Sequence, residues 1–181
     1  YACYPMLAPR VMPDGGLVFI DNQGPLVRID ACSRIQWVLD GHFPHSLERD
    51  LDGNFLVPGV GDGFSSFPVD ARDDLVVIVD TGGRVLGEHS VARMLTESGY
   101  RGLLHAAYPV DRNPVHLNDI EVASTSTRNW RRGDWLLSSR TLNAIFIYRP
   151  ASEKIIWLQS GPWLKQHDPD FLDDGRISVF G

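Results

Sequence analysis

Val77 to Gly87 reads VIVDTGGRVLG: an apolar run, a polar turn over Asp80 to Gly83, and a basic residue, Arg84, that opens a second apolar run. Short apolar runs bounded by turn residues are strands, and two of them around a Gly-containing turn make a β-hairpin. The same order recurs in VRIDACSRIQW (Val27 to Trp37), where Arg34 opens the return strand, and in FIYRPASEKIIW (Phe146 to Trp157), where Lys154 does so. Upstream of these hairpins an Asp-Gly or Gly-Asp turn leads into an apolar strand, at Asp14-Gly15, Asp52-Gly53 and Gly133-Asp134; a fourth, Asp174-Gly175, has no hairpin after it. The first two turns lie 38 residues apart and the last two about 41. A unit of about 40 to 50 residues with four short strands is the size of a β-propeller blade, a small sheet that packs face to face on the next around a central channel. A β-sandwich would use similar strands but needs no internal similarity, so the recurrence decides for the propeller.

The expected fold is therefore all-β: a partial β-propeller of about three and a half four-stranded blades over residues 1–181, beginning after the inner strand of one blade and ending just past the second strand of another. Closed propellers have typically 4–8 blades, so this count implies a segment of a longer chain, or open edges covered by another chain. One stretch, 90–107, has helical spacing instead, with Val91, Leu95, Leu103 and Leu104 as its apolar positions and Ser90 as N-cap; it reads as a helical insertion.

Composition narrows the functional classes. With 181 residues, 43% hydrophobic and 22% charged, the chain can bury a sizeable core. A net charge of -6 leaves no overall positive field to hold a nucleic acid or an anionic membrane surface, so nucleic acid is excluded as an expected partner. No apolar run approaches the roughly 18 residues of a membrane helix, and the first residues lack the basic-then-apolar pattern of a signal peptide, as in a mature or excised chain. The two cysteines, Cys3 and Cys32, allow at most one internal disulfide and form no CxxC or Cys/His cluster, so no structural metal is expected.

Histidine marks the inner-strand position of successive units. His45 precedes Asp52-Gly53 by seven residues, and His167 precedes Asp174-Gly175 by seven. His116 begins the intervening unit as His116-Leu117-Asn118, where a strand's period of two would put His116 and Asn118 on one face. Inner strands of a propeller converge on its axis, so these side chains would meet. The strand from Trp135 to Ser139 runs into Arg140, a planar, permanently charged fork suited to an oxyanion. His42, His89 and His105 have no such placement. Trp37 and Trp157, at matched hairpin positions, read as packing between blades. Asp168, Asp170 and Asp119 flank the key histidines and could orient an imidazole, but an acidic strand end is the better account of them. A metal site built from His45, His116 and His167 is a competing reading, disfavoured by the fixed charge of Arg140.

At these residues the sequence resembles the PAPS-independent arylsulfotransferases, bacterial propeller enzymes usually exported to the periplasm. The matching blocks are PHSLERDLDGNFLVPG (Pro44 to Gly59), VHLNDIE (Val115 to Glu121), GDWLLSSRTLNAIFIY (Gly133 to Tyr148), KIIWLQSG (Lys154 to Gly161) and QHDPDFLDDGRISVFG (Gln166 to Gly181). The resemblance implies transfer of a sulfuryl group from a phenolic sulfate ester to a phenol, by a ping-pong route through a sulfohistidine and without a cofactor. By motif it makes His167 the nucleophile and His116, Asn118 and Arg140 ligands of the sulfuryl group. His45 is a further ligand, although the family often has His-Asp where this chain has His45-Ser46. It also implies small-molecule partners, a periplasmic or secreted location, and further blades beyond this segment. A propeller used only for binding or assembly is the alternative, since the fold alone carries no function.

Overall fold

Four antiparallel sheets, each a simple meander, follow one another along the chain in the computed structural model, which describes residues 6–61, 71–108 and 111–181. The first sheet has the order β1 (Met6–Val11), β2 (Leu17–Asp21), β3 (Leu26–Ile29) and β4 (Ile35–Leu39). The second has β5 (Glu48–Arg49), β6 (Phe55–Gly61), β7 (Asp73–Val79) and β8 (Val85–Ser90). Two helices, α1 (Val91–Glu97) and α2 (Arg101–Ala107), lead to the third sheet of β9 (Leu117–Val122), β10 (Trp135–Ser139), β11 (Ala144–Arg149) and β12 (Lys154–Ser160). The chain ends on the two-stranded sheet of β13 (His167–Phe171) and β14 (Ile177–Phe180). This is a partial β-propeller of three four-stranded blades and half of another, as the repeat predicts.

Local turn chemistry builds the repeated hairpins. In the first two blades an aspartate closes the outer turn: Asp30 Oδ1 accepts the N–H groups of Cys32 and Arg34, and Asp80 Oδ1 those of Gly82 and Arg84. The basic residue that opens the return strand is thus tied to the aspartate four residues before it. The inner turns need a left-handed residue, supplied by Gly15, Gly53, Gly133 and Gly175, each with φ between +80 and +89°.

The blades are stacked by a strict alternation along their middle strands. In β6 and β7, Phe55, Val57, Val77 and Val79 pack toward the first blade with Val18, Ile20 and Leu26, while Leu56 and Val76 face the other way. In β10 and β11, Leu137, Phe146 and Tyr148 pack toward the second blade and its helices, whereas Leu136, Ile145 and Ile147 face the last sheet. Both faces of each middle blade are therefore buried, which is the requirement for sheets stacked around an axis. Trp37 bridges blades as expected, its Nε1 donating to the Thr81 carbonyl at 3.1 Å. Trp157 lines the face between the third and last sheets, where a groove of about 630 Å³ runs past Trp130, Trp163 and Ile177.

One expectation is corrected, and the helical insertion at 90–107 is present in finer detail. The first blade does contain its inner strand, β1; Pro9 gives no backbone N–H and Ala8 has φ +46°, so pairing with β2 slips between Leu7 and Arg10 and the side-chain alternation is lost. The helical insertion is two short helices, broken at Ser98 to Tyr100, where Gly99 has φ +90°. Ser90 is the N-cap: its Oγ accepts Arg93 N–H at 3.0 Å and donates to Asp73 at 2.6 Å. Cys32 is exposed, and Cys3 lies outside the described residues. Among the described residues no helix is long and apolar enough to cross a membrane.

Candidate functional site

The three repeated histidines belong to three different sheets; two of them precede their inner strands and the third opens its own. His45 lies in the loop before β5, which is pinned by the buried side chains of Phe43 and Leu47 on either side. His116 immediately precedes β9 with φ +50°, so the expected strand alternation with Asn118 does not apply to it. His167 is the first residue of β13 and is exposed. Left-handed backbone at a residue other than glycine is uncommon and collects at functional sites. Here it occurs at His116 and also at Ala8 and Asp168, which line the hollow described below.

His45 and His116 meet tip to tip, Nε2 to Nε2 at 3.1 Å, with ring centroids 5.1 Å apart. The proton between them can be placed from their surroundings. Asn113 Oδ1 accepts the backbone N–H of His116 at 3.0 Å, which fixes the amide and aims Asn113 Nδ2 at His116 Nδ1, 3.1 Å away. His116 Nδ1 is therefore the acceptor, its ring proton sits on Nε2, and that N–H donates to His45 Nε2. Both rings are neutral in this arrangement. The electrostatics agree: burial, then the nearby His116, His167, Arg72 and Arg140, push His45 down to about 4. His116 is lowered by burial and by Arg140 and Arg72, with Asp111 pulling weakly the other way.

Arg140 opens the turn after β10, and its backbone N–H donates to the carbonyl of His116 at 3.0 Å, so the guanidinium and the imidazole are carried on hydrogen-bonded backbone. The position of His167 is set by its neighbour. Gln166 is fully buried and its Nε2 donates to Ser138 Oγ, the Ser139 carbonyl and the Ala144 carbonyl, each at 3.0 Å. Asn118, also buried, donates from Nδ2 to the Gln166 carbonyl at 2.7 Å. The head of β13 is thereby fastened to the third blade. Asn118 Oδ1 and Gln166 Oε1 are buried with no hydrogen-bond partner among the described residues. His45, Asn118 and His167 line one hollow of about 280 Å³, together with Ser46, Asp119 and Asp168. Of the predicted residues, His116 reaches this hollow through His45, and Arg140 acts on both imidazoles by its charge. Four of the five predicted side chains are thus joined at one hollow, and Arg140 is tied to them by its backbone bond to His116 and by its charge.

The sequence from residue 15 to 181 matches the family model described as arylsulfotransferase (ASST). The chain belongs to the arylsulfotransferase family. No curated protein matches it directly by sequence. Among solved structures this arylsulfotransferase-family chain resembles BBS1N in its complex with ARL6DN, at 13% identity and TM-score 0.55, covering 96% of this chain and 41% of that one. A protein of unknown function from Bacteroides caccae matches at 12% identity and TM-score 0.43, over 86% of this chain and 46% of its own. A β-propeller domain from Myceliophteria thermophila matches at 12% and 0.45, over 99% of this chain and 62% of its own. The chain thus spans less than two thirds of each of these structures.

The candidate site also contains groups that spacing in the sequence does not single out. Asn113, three residues before His116, and Gln166, beside His167, orient the two histidines; a buried-amide signal was present in Asn-Pro-Val-His and Gln-His-Asp, but the contacts it serves are visible only in three dimensions. Arg72, just before β7, acts on His45 and His116 and is paired with Asp74 at 2.9 Å. Behind the histidines the inner strands turn acidic. Burial and the charge of Asp168 push Asp119 up to about 7, against the hydroxyl of Ser46, which pulls it down. Glu121 is likewise raised to about 7, by burial and by Asp170, Glu48 and Asp119. No hydrogen bond is seen from Asp168 or Asp170 to His167, and Asp170 instead accepts from Ser178 Oγ at 3.3 Å. Among the described residues, no group of three or more His, Cys, Asp or Glu is arranged to hold a metal ion.

Proposed function

We propose that this site transfers a sulfuryl group from an aryl sulfate ester to a phenol, with His167 as the nucleophile. The observation that carries the reading is that His45 and His167, from different sheets, line one small hollow, with His116 in contact with His45 and the backbone of Arg140 bonded to that of His116. Sulfuryl transfer, like phosphoryl transfer, passes through a loose transition state with charge on three equatorial oxygens, so positioned donors and a cation do most of the work. Arg140, the Nδ1–H that this arrangement leaves free on His45 and the remaining N–H of Asn118 supply them, with His116 holding His45 in place.

The chemistry balances in two displacements. In the first, a ring nitrogen lone pair of His167 attacks sulfur, the S–O bond to the aryl group breaks, and the phenolate leaves with the bonding pair. In the second, an acceptor phenol attacks the same sulfur, the N–S bond breaks and returns its pair to His167, and the acceptor's proton passes to Nε2 of His45, displacing the His116 N–H from it. Burial first, and then the positive neighbours, keep that imidazole unprotonated, and the arriving oxyanion offsets the second of these. The proton then leaves with the next phenolate.

Full-length protein incubated with 4-nitrophenyl sulfate and a phenol is expected to release nitrophenolate and to carry sulfate covalently on His167. His167→Asn should remove both signals while leaving the melting temperature unchanged. Normal turnover by that variant would overturn the assignment. Sulfate ester binding with neither turnover nor labelling in the unaltered protein would return the chain to a binding module.

A further inference from the structure

Arg72 lies in none of the sequence blocks that define the site, yet its surroundings aim it there. Its backbone N–H donates to the Arg112 carbonyl at 2.8 Å, and its Nε donates to Asp74 Oδ1 at 2.9 Å. The other oxygen of that carboxylate accepts the backbone N–H of Leu117 at 2.7 Å. Arg112 and Leu117 bracket the segment that carries His116, so Arg72 is clamped to the same short stretch. Asp74 is sealed, with 1% of its side chain exposed, whereas Arg72 keeps 29% exposed; the carboxylate lies beneath and the guanidinium reaches outward. Among the described residues the two Nη atoms of Arg72 have no hydrogen-bond partner, which leaves a two-pronged donor beside the imidazoles. Its charge depresses both His45 and His116, and at His45 it outweighs that of Arg140.

We propose that Arg72 is a second oxyanion anchor of this site, gripping sulfuryl oxygens with its Nη groups alongside Arg140, and that Asp74 is its positioning residue. The proposal rests on the sulfuryl-transfer reading above. Its chemical sense lies in the charge. Two bare guanidiniums around one monoanion would overcompensate it, but Asp74 offsets part of the charge of Arg72 while leaving its directional donors in place.

A purely structural Arg72 would serve only to neutralise buried Asp74, and substitution separates the two roles. Arg72→Gln is expected to lower kcat/KM for 4-nitrophenyl sulfate by about 100-fold, the scale of one lost oxyanion donor, and to weaken inorganic sulfate binding, measured by titration calorimetry, by about 10-fold. Arg72→Lys keeps the charge opposite Asp74 but lacks the fork; it should melt like the unaltered protein yet recover only part of the turnover. Should Arg72→Gln not fold, Arg72→Lys and the neutral pair Arg72→Gln/Asp74→Asn carry the test. Either folded variant turning over and binding sulfate as well as the unaltered protein would overturn the proposal. If the unaltered protein neither binds sulfate nor turns over the ester, the sulfuryl-transfer reading falls as well, whereas unaltered activity with an unaffected Arg72→Gln sinks the second anchor alone.

Discussion

The faces between blades and the heads of the inner strands are built on opposite rules. Between blades, residues alternate so regularly that Phe146 and Leu137 point to one neighbour while Ile145, Ile147 and Leu136 point to the other, and none has a polar atom to satisfy. At the strand heads the structure buries amides with orphan oxygens, bends the backbone into left-handed conformations at His116 and Asp168, and displaces the ionisation of His45, Asp119 and Glu121. Each of those features costs stability. The blade faces supply it, so folding and chemistry are carried by different residues and should respond separately to substitution.

The sharpest test of that separation is Phe146→Ala in the fully buried face between the second and third blades. It should cost about 3–5 kcal/mol of unfolding free energy in urea titration, with turnover per folded molecule unchanged. A large loss of specific activity in the folded fraction would blur the distinction. Gln166→Ala probes the border between the regions, because one buried amide ties the His167 segment to three acceptors. It should lose about 1–3 kcal/mol of stability and, because His167 is released from its mooring, lower kcat more than KM.

The smallest effect sharpens the comparison by pH. Glu121 ionises near 7 in the folded chain against its ordinary 4.5, so the folded state holds a proton that the unfolded state gives up. Its contribution is present below the ordinary value and is lost as pH rises through about 7. Buried His45 has the reverse sign: the unfolded state binds the extra proton, so stability is gained as pH rises from about 4 to 6.5. Glu121→Gln should therefore raise the melting temperature by a few degrees at pH 8 and by less at pH 5, as calorimetry would show. An equal shift at both values would contradict the buried-acid account.

The outer hairpins were legible because their cause is local: an aspartate accepts two N–H groups of its own turn, and its basic residue follows four positions later. The inner strands were harder to read. β1 contains Pro9, β5 has two residues, and β13 contains Pro169 and an irregular register between His167 and Asp170, so none shows a clean alternation. His45 and His167 survived this because each stands seven residues before its Asp-Gly turn, whereas His116, 18 residues before Asp134, was marked by its His-Leu-Asn triplet. Arg72 and Gln166 did not survive it, since the bond that ties Asp74 to Leu117 and the contacts of Gln166 with Ser138 and Ala144 form only when blades stack.

His45, His116 and His167 are each lent by a separate sheet, and their convergence has a bearing on how such a centre could arise or be lost. No single repeat contains the whole of it, since each sheet supplies one imidazole. Deleting one sheet would erase a whole reactive group rather than dull it, so decay by loss of a repeat is abrupt, and two separately made halves that re-dock through their apolar faces should regain what neither owns.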